Sequence, residues 1–499
     1  MQITRNMNPM APIQPLYDFS NPQEPVCLLQ GDAELETSQG RHAGTAQLLL
    51  QLQPMPHMFF RGIFGNMPDA LDTSLLFWHK EFIQSFRFDG MEIDGFPDQE
   101  NAGNEKVQLN WIPKISFIEM NCIKDKTTTA AIAHLFNFPN FSGGAHQDNA
   151  PEGCSIMKLE SDEWQVWIQS LPGDTARNMP DFAGKADGSH LTHVVKLERK
   201  NGQPFSEQEA GEQFSMLENF LSFVHGARCK PVCAAGLNAE REKTWQTFTP
   251  PGISRPVFSW FDSIPASQAE TLFPLFAKKW NQSQGWKSCL RLIIGWYLQV
   301  NRASEPVYPE AGIILAQVAL ERLEHEHAID AGAESNNKAD DNVDAKTGGD
   351  AKSKASGRRG RPPASFSLRK MFSRMEIPVT IPAAVYHLKE FANGKNLEDA
   401  LHAITEIRNE TVHPKKKYTL TSDCLMDAWK LSLWFLEMSI LATCGYKGEY
   451  RNRLHSPGCF ASEAVPWTKG CAEMPSPSSV ETAVSDSAQT ASLHEPEKF

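Results

Sequence analysis

Residues 396–413, NLEDALHAITEIRNETVH, read as one amphipathic helix. Asn396 can cap its start, and an apolar stripe follows at the i, i+4, i+7 spacing of a buried face: Leu397, Leu401 and Ile404. The next position on that stripe is Arg408, and a buried guanidinium needs a partner or a cleft because an unpaired buried charge is costly. His413 precedes Pro414, which disfavours helical backbone angles, so we predict that His413 leaves the helix at its last turn.

A basic run follows this helix immediately: Lys415, Lys416 and Lys417. A cation on the buried stripe, a titratable imidazole and a basic run together indicate a phosphodiester substrate. The lysines are candidate contacts to an RNA backbone, although a charge run beyond a helix is more often simply solvated.

Length and composition place this chain among soluble globular proteins. It has 499 residues, enough for two or three domains, with 41% hydrophobic and 22% charged residues. The formal net charge of −12 gives no general sign of nucleic-acid binding, so any such site must be local. The ten Cys lack paired spacing, and neither a membrane-spanning run nor a signal-peptide core is visible. We therefore expect a cytoplasmic protein with reduced thiols and no membrane partner.

The first half of the sequence predicts a β-rich domain over residues 25–255, preceded by a flexible N-terminus over residues 1–24. Short apolar runs are separated by Gly, Pro, Asn and Asp clusters, a pattern typical of a sandwich or barrel. One clear helix interrupts it: Ser206 and Glu209 form a capping box, and Gly226 can supply the left-handed stop.

The second half, residues 256–455, predicts a helical domain. Ser267 and Glu270 form a second capping box, and three further apolar stripes recur at helical spacing. Residues 330–364 almost lack large apolar side chains and predict a disordered insert, as does the tail from residue 456 to 499. The predicted fold class is therefore α+β and multidomain, with a sandwich-like N-terminal domain followed by an all-α bundle.

The candidate chemistry is the R-x4-H motif of Arg408 and His413, with Asn409 directly after the arginine. A second R-x4-H match, at Arg322 and His327, runs into the predicted insert and is discounted. Two metal-site alternatives are weaker: one is His325-x-His327 with flanking glutamates, and the other is Cys229-x3-Cys233, which buried thiols explain better. We expect no metal and no cofactor.

The helical half resembles a HEPN domain, a bundle found in metal-independent endoribonucleases. The resemblance rests on the Arg408-Asn409-x3-His413 motif between the last two long helices. Four further segments are similar to the ApeA-like group, which joins a β-rich N-terminal domain to a C-terminal HEPN ribonuclease domain: residues 192–206 (THVVKLERKNGQPFS), 219–226 (NFLSFVHG), 318–323 (VALERL) and 444–450 (CGYKGEY).

This resemblance implies a dimer in which two motifs form one composite site. His413 would act as general acid or base at the ribose 2′-hydroxyl and the leaving oxygen, and Arg408 would stabilise the charge on the phosphate. Asn409 would orient the phosphate, while Glu321, on a neighbouring helix, would hold Arg408 or else be a solvated surface residue. The nucleophile belongs to the RNA, so this implied chemistry requires no metal.

The expected function is thus that of an endoribonuclease, a hydrolase of antiviral defence by abortive infection. Its expected partners are RNA, with tRNA as one candidate, a second copy bound through the HEPN domain, and a phage-derived trigger. One alternative is a non-catalytic HEPN module that binds nucleotide or RNA, or that mediates dimerisation. Another alternative places the main function in the β-rich domain as a ligand- or protein-binding module.

Overall fold

A computed structural model describes the chain as a mixed α/β protein whose N-terminal half is rich in β-strands. The β-rich first half predicted from the turn-separated apolar runs is confirmed, and helices follow in the C-terminal region. The described residues are 11–21, 23–38, 40–65, 83–102, 106–114, 118–121, 127–142, 148, 150–172, 189–252, 257–264, 266–302, 308–340, 364–413, 420–455 and 462–468.

The first sheet, sheet 1, is antiparallel throughout and has seven described strands: β1 (Val26–Thr37), β2 (Gly40–Gln51), β3 (His57–Gly65), β4 (Ile83–Phe88), β5 (Met91–Glu92), β6 (Gly95–Ala102) and β7 (Lys106–Pro113). Their spatial order is β5-β4-β1-β2-β3-β7-β6. Ala33 and Leu35 in β1 are buried, whereas their neighbours Glu34 and Glu36 are half-exposed. This alternation is the period of a strand with one face in the core.

The second sheet, sheet 2, is also antiparallel and has seven described strands: β8 (Ile118–Asn121), β9 (Ala130–Phe136), β10 (Ile156–Glu160), β11 (Trp164–Ser170), β12 (Leu191–Arg199), β13 (Val232–Leu237) and β14 (Lys243–Phe248). Their order is β10-β11-β12-β9-β13-β14-β8. Residues of strand β9 belong to two different apolar clusters. Ala131, Ala133 and Leu135 pack with the helices, and Phe136 packs with sheet 1, so sheet 2 forms the central layer.

Eight helices are described: α1 (Glu207–His225), α2 (Ser267–Gln282), α3 (Gln284–Val300), α4 (Pro309–Asp340), α5 (Ala364–Arg374), α6 (Tyr386–Gly394), α7 (Ala400–Val412) and α8 (Ser422–Thr443). A small two-stranded ribbon follows, formed by β15 (Glu449–Arg451) and β16 (Ser462–Ala464). One continuous apolar core joins sheet 2 to these helices, so the predicted boundary at residues 255–256 does not separate two cores. Helix α8 lies within this core, and its buried side chains include Leu433, Phe435 and Leu436.

Two predicted helix signals meet different outcomes. The capping box of α1 is confirmed: Glu209 N–H donates to Ser206 Oγ, and Ser206 N–H donates to the Glu209 carboxylate. The second box is wrong, because Ser267 is already inside α2 and the cap position, Ala266, makes no side-chain bond. Instead, the Glu270 carboxylate accepts a hydrogen bond from Lys158 N–H on the edge strand β10 (3.0 Å). A helix thereby covers an edge that would otherwise expose unpaired donors.

Three segments expected to be flexible are ordered over most or part of their length. Residues 11–20 pack on sheet 2, with Ile13 and Tyr17 buried. Helix α4 continues ten residues past position 330 to Asp340, into the predicted insert, of which residues 341–363 lie outside the described part of the chain. The predicted tail also begins later than residue 456, since β16 pairs with β15 and Val465 is fully buried. Residues 469–499 of that tail lie outside the described ranges.

A buried polar network fastens the C-terminal ribbon to the helices. The Glu437 carboxylate is completely buried and accepts hydrogen bonds from Tyr297 Oη (2.7 Å), Arg453 Nε (2.8 Å) and Arg453 Nη2 (2.5 Å). The Arg453 Nη2 also donates to Asn301 Oδ1 (3.2 Å). Each charge therefore has its partner within the core, which is what makes a buried ion pair tolerable. Among the described helices, none combines the length and the low polarity that crossing a lipid bilayer requires.

Candidate functional site: the Arg408 helix and a cationic cleft

The helix that carries Arg408 begins later than predicted. Asp399, not Asn396, is its N-cap, and the Asp399 carboxylate accepts a hydrogen bond from His402 N–H (2.8 Å). Asn396 instead has a positive φ of 52° and lies in the turn before the helix. The apolar stripe is confirmed within the helix, where Leu401 and Ile404 are buried against the core.

Arg408 lies half-buried at the end of that stripe, as its position predicted. Its Nη1 donates to the side-chain oxygen of Asn409 (3.2 Å), and its Nε is buried without a hydrogen-bond partner. Glu321 does not hold it within the described residues: that glutamate is exposed and accepts from Gln317 Nε2 (3.1 Å). Arg408 is thus a partly desolvated cation with donor capacity to spare.

His413 leaves helix α7 as predicted and forms its C-cap, with its own N–H donating to the Asn409 carbonyl (2.8 Å). Its side chain is exposed. Residues five apart on an α-helix point in directions about 140° apart, so the spacing itself does not bring the Arg408 and His413 side chains together. Lys415, Lys416 and Lys417, the predicted RNA contacts, lie outside the described residues.

A different place in the helical region gathers cations around an open cavity, which we call the cationic cleft. Its volume is about 820 Å³, and it lies between α2, α4, α5 and the segment after α8. Four positively charged residues line it: Lys279, Lys370, Arg374 and Lys447. Three carboxylates also line it: Glu324, Asp330 and Glu376.

None of these four cations forms an ion pair with a carboxylate among the described residues. Lys370, Arg374 and Lys447 are exposed, and Lys279 is half-buried with its Nζ over the face of the Trp286 ring at 4.2 Å. Asp330, which could neutralise one of them, accepts hydrogen bonds from Trp286 Nε1 (2.6 Å) and Gln282 Nε2 (3.2 Å). Set against the three carboxylates, the four cations leave the lining of the cleft with a formal net charge of +1.

His327 lies in the wall of the cationic cleft, and its pKa responds to burial and to the neighbouring charges. Burial, then the positive charge of Lys279, lower the pKa of His327 to about 4, with Arg374 acting in the same direction and Asp330 opposing them. Its Nε2 is 3.0 Å from Thr443 Oγ1, and its ring meets the Trp286 ring edge to face. The imidazole is therefore neutral near pH 7, mainly because burial disfavours its cation, and the positive charge of Lys279 acts in the same direction.

Neither of the two weaker metal-site alternatives, His325-x-His327 and Cys229-x3-Cys233, forms a cluster of metal ligands among the described residues. No group of three or more His, Cys, Asp or Glu side chains is placed to hold a metal ion within the described ranges. Glu326 pairs with Arg322 (2.9 Å) while His327 contacts Thr443, so the two side chains have separate partners. Cys229 and Cys233 are buried, unpaired thiols, and burial raises the pKa of Cys233 to about 12. Such thiols are inert core residues.

Each half of the chain contains a region whose sequence matches a described protein family. The family described as the YopA C-terminal domain matches residues 352–464, and the family described as the YopA central domain matches residues 123–259. A particular relative covers nearly the whole chain: the SPbeta prophage-derived uncharacterized protein YopA of Bacillus subtilis (strain 168). The two are 26% identical over 463 residues, which span 90% of this chain and 96% of that protein. No solved structure matches.

These matches correct the family prediction. The chain was expected to resemble HEPN proteins of the ApeA-like group, and that expectation was wrong, because the matching families are the YopA central and C-terminal domains. The reason lies in the specificity of the motif. An Arg and a His five residues apart at a helix end are common, and several long apolar helices are shared by many unrelated bundles.

Sequence reasoning missed the cationic cleft. One signal was present: Lys370 and Arg374 are four residues apart, which places them on one face of α5. Lys279 and Lys447 gave no comparable signal, because they reach the cleft only through the packing of α2 and the chain beyond α8. The site is assembled by the tertiary structure.

Proposed function

We propose that the helical region binds a phosphate-bearing ligand, a nucleotide or an RNA chain end, in the cationic cleft. The observation that carries this proposal is the convergence of Lys279, Lys370, Arg374 and Lys447 without ion-pair partners among the described residues. A volume of about 820 Å³ suits a nucleotide-sized ligand, since small-molecule sites span roughly 300–1,000 Å³.

Phosphate explains the composition of the cleft better than a single carboxylate does. Several cations around one cavity match a ligand that carries more than one negative charge, and an arginine can bind phosphate oxygens through two parallel N–H donors. Trp467 in the same wall and neutral His327 offer ring surface and a polar edge for the organic part of the ligand. Binding of nucleotide or RNA by the helical half is one of the alternatives that the sequence left open.

Titration calorimetry with ATP, a short single-stranded RNA and inorganic phosphate tests the proposal. Lys370→Ala combined with Arg374→Ala should weaken nucleotide or RNA binding at least tenfold, and binding should weaken further as salt is raised. Lys389→Ala is the matched control, because it removes one exposed charge from α6, outside the cleft. Equal affinity in the double variant and the parent would refute the proposed site.

A second candidate function is metal-independent RNA cleavage at the end of α7, in the setting of defence against phage. The partnerless Nε of half-buried Arg408 favours it, and so does the exposure of His413 at the same helix end. Residues five apart on an ideal helix project about 140° apart, so pairing of two copies is the arrangement that would bring an Arg and a His to one phosphate. The prophage origin of the relative is compatible with a role in conflict between phage and host.

An RNA cleavage assay in the presence of EDTA separates the two functions. His413→Ala and Arg408→Ala should each abolish cleavage while leaving nucleotide binding in the cationic cleft unchanged. Neither residue lines that cleft. Cleavage that persists in both variants excludes the α7 end as the catalytic centre.

A further inference from the structure

The N-terminal strap, residues 11–20 (APIQPLYDFS), lies across one face of sheet 2 without forming a strand or a helix. Its contacts reach β11 at Gln169, β9 at His134 and β14 at Gln246. These strands are the second, fourth and sixth of the sheet. The strap therefore runs across the strands and not along them.

A chain that crosses strands cannot join their hydrogen-bond ladder, so side chains must satisfy its backbone. Gln169 does so with both ends of its amide: its Oε1 accepts from Ile13 N–H (2.9 Å), and its Nε2 donates to the Ile13 carbonyl (3.3 Å). The His134 Nε2 accepts from Leu16 N–H (3.1 Å), while its Nδ1 bonds the Cys233 carbonyl (3.1 Å).

A third buried side chain recognises a side chain of the strap. Gln246 Nε2 donates to the Tyr17 hydroxyl (2.7 Å), and Lys243 Nζ lies 4.6 Å from the centre of the Tyr17 ring. The apolar part of the ring packs into the core between the two sheets. Tyr17 is thus held by a hydrogen bond, a cation and apolar contacts together.

The aliphatic anchor of the strap is Ile13, which is 9% exposed. It packs in a small cluster with three buried side chains of sheet 2: Ile132, Val194 and Leu237. This cluster contains no residue of sheet 1. The strap therefore covers a part of the sheet 2 face that the strands of sheet 1 leave to it.

Removing the strap would deprive the buried polar side chains that hold it of these hydrogen bonds, which costs free energy. Gln169, His134 and Gln246 are at most 3% exposed, and a buried polar group without a partner costs about as much as a lost hydrogen bond or more. Such an arrangement is a groove built to bind a peptide backbone, with pockets for an aliphatic residue and, four positions later, a tyrosine. Pro12 directly precedes Ile13 and Pro15 follows two positions after it, and since both lack N–H groups, neither leaves a donor unsatisfied there.

We propose that this groove is a peptide-binding site whose intramolecular occupant is the N-terminal strap. A partner protein that presents an aliphatic residue four positions before a tyrosine in an extended segment would replace the strap. The strap joins β1 through only a few residues, and Asn21, Gln23 and Glu24 of that connection are exposed. Exchange therefore breaks no strand or helix: the strap lifts away from the sheet, and the incoming segment restores the hydrogen bonds to Gln169, His134 and Gln246.

The test uses the full-length chain with a protease recognition site in place of residues 21–24. After cleavage, a fluorescent peptide of residues 11–20 is added in excess and followed by anisotropy. We expect it to exchange into the groove with micromolar affinity, and Gln169→Leu should weaken its binding at least tenfold. The matched control is Gln165→Leu, on the same strand and facing the same side, which should leave the affinity unchanged.

Two altered peptides separate the two pockets. Replacing Tyr17 by Phe should weaken binding several-fold through the lost Gln246 bond, and replacing Ile13 by Asp should abolish it. The proposal is overturned if the labelled peptide does not exchange within a day, or if it binds the Gln169→Leu chain as tightly as the parent. It is also overturned if cleavage unfolds the protein, since the strap would then be a core element and not a replaceable ligand.

Discussion

Replacing Arg453 by Met should destabilise the protein by about 3–5 kcal/mol, the usual cost of breaking a buried ion pair from one side. Arg453 supplies two of the three hydrogen bonds to the Glu437 carboxylate, and Glu437 is 0% exposed. The variant leaves that carboxylate in the core with only the Tyr297 hydroxyl as a partner. It also removes the bond to Asn301 that ties the C-terminal ribbon to α3.

Urea denaturation, followed by tryptophan fluorescence and circular dichroism, measures the loss as a lower midpoint at an unchanged slope. The double variant Arg453→Met with Glu437→Gln should recover part of the stability, because no charge is then left unpaired. Arg228→Met is the matched control: Arg228 pairs with Glu218 at the surface (3.1 Å), and its side chain is 72% exposed. Such a pair contributes at most about 1 kcal/mol.

The reasoning is refuted if Arg453→Met costs no more than the control. It is also refuted if the double variant is as unstable as the single one. In either case the buried pair would not be what holds the ribbon in place.

Three further predictions concern stability. Burial lowers the pKa of three histidines of the β-rich half, to about 4, about 3 and about 4 in turn: His134, His193 and His225. The unfolded chain binds protons near pH 6.5 while these groups stay neutral in the fold, so stability is complete above pH 6.5 and falls as the pH drops towards 4. The loss is about 2 kcal/mol per histidine at pH 5, and urea midpoints at pH 7 and 5 measure it. Ser206→Ala should cost about 1 kcal/mol by removing the α1 capping box, as a thermal scan would show, whereas no change would mean that the cap is dispensable. Gly226→Ala should lower the urea midpoint more than Gly211→Ala, since Gly226 has a φ of +76° and an added Cβ would lie 2.6 Å from Asn301 Nδ2; equal effects would contradict the strain.

The family prediction shows where short motifs fail. Arg408 and His413 take the helix-end positions that their spacing and Pro414 predicted, yet the sequence matches lie elsewhere, with the YopA domains. A motif of two residues describes local geometry well because it depends on a few dihedral angles. It identifies a family poorly, because the same geometry occurs at the ends of many helices.

The sequence alone determined the elements whose causes lie within a few residues. The α1 capping box and its Gly226 stop depend on neighbours within about four residues of each other. The same local rules failed where a distant partner intervened. Glu270 bonds an edge strand more than a hundred residues away in place of capping its own helix.

Only the tertiary structure decided the sites. Lys279, Lys370 and Lys447 belong to separate elements and meet because α2, α5 and the chain after α8 pack around one cavity. The N-terminal strap was predicted to be flexible because the sequence up to about Gln23 is rich in Pro and Met. It is ordered because side chains of three strands supply the hydrogen bonds that an isolated segment must otherwise take from water.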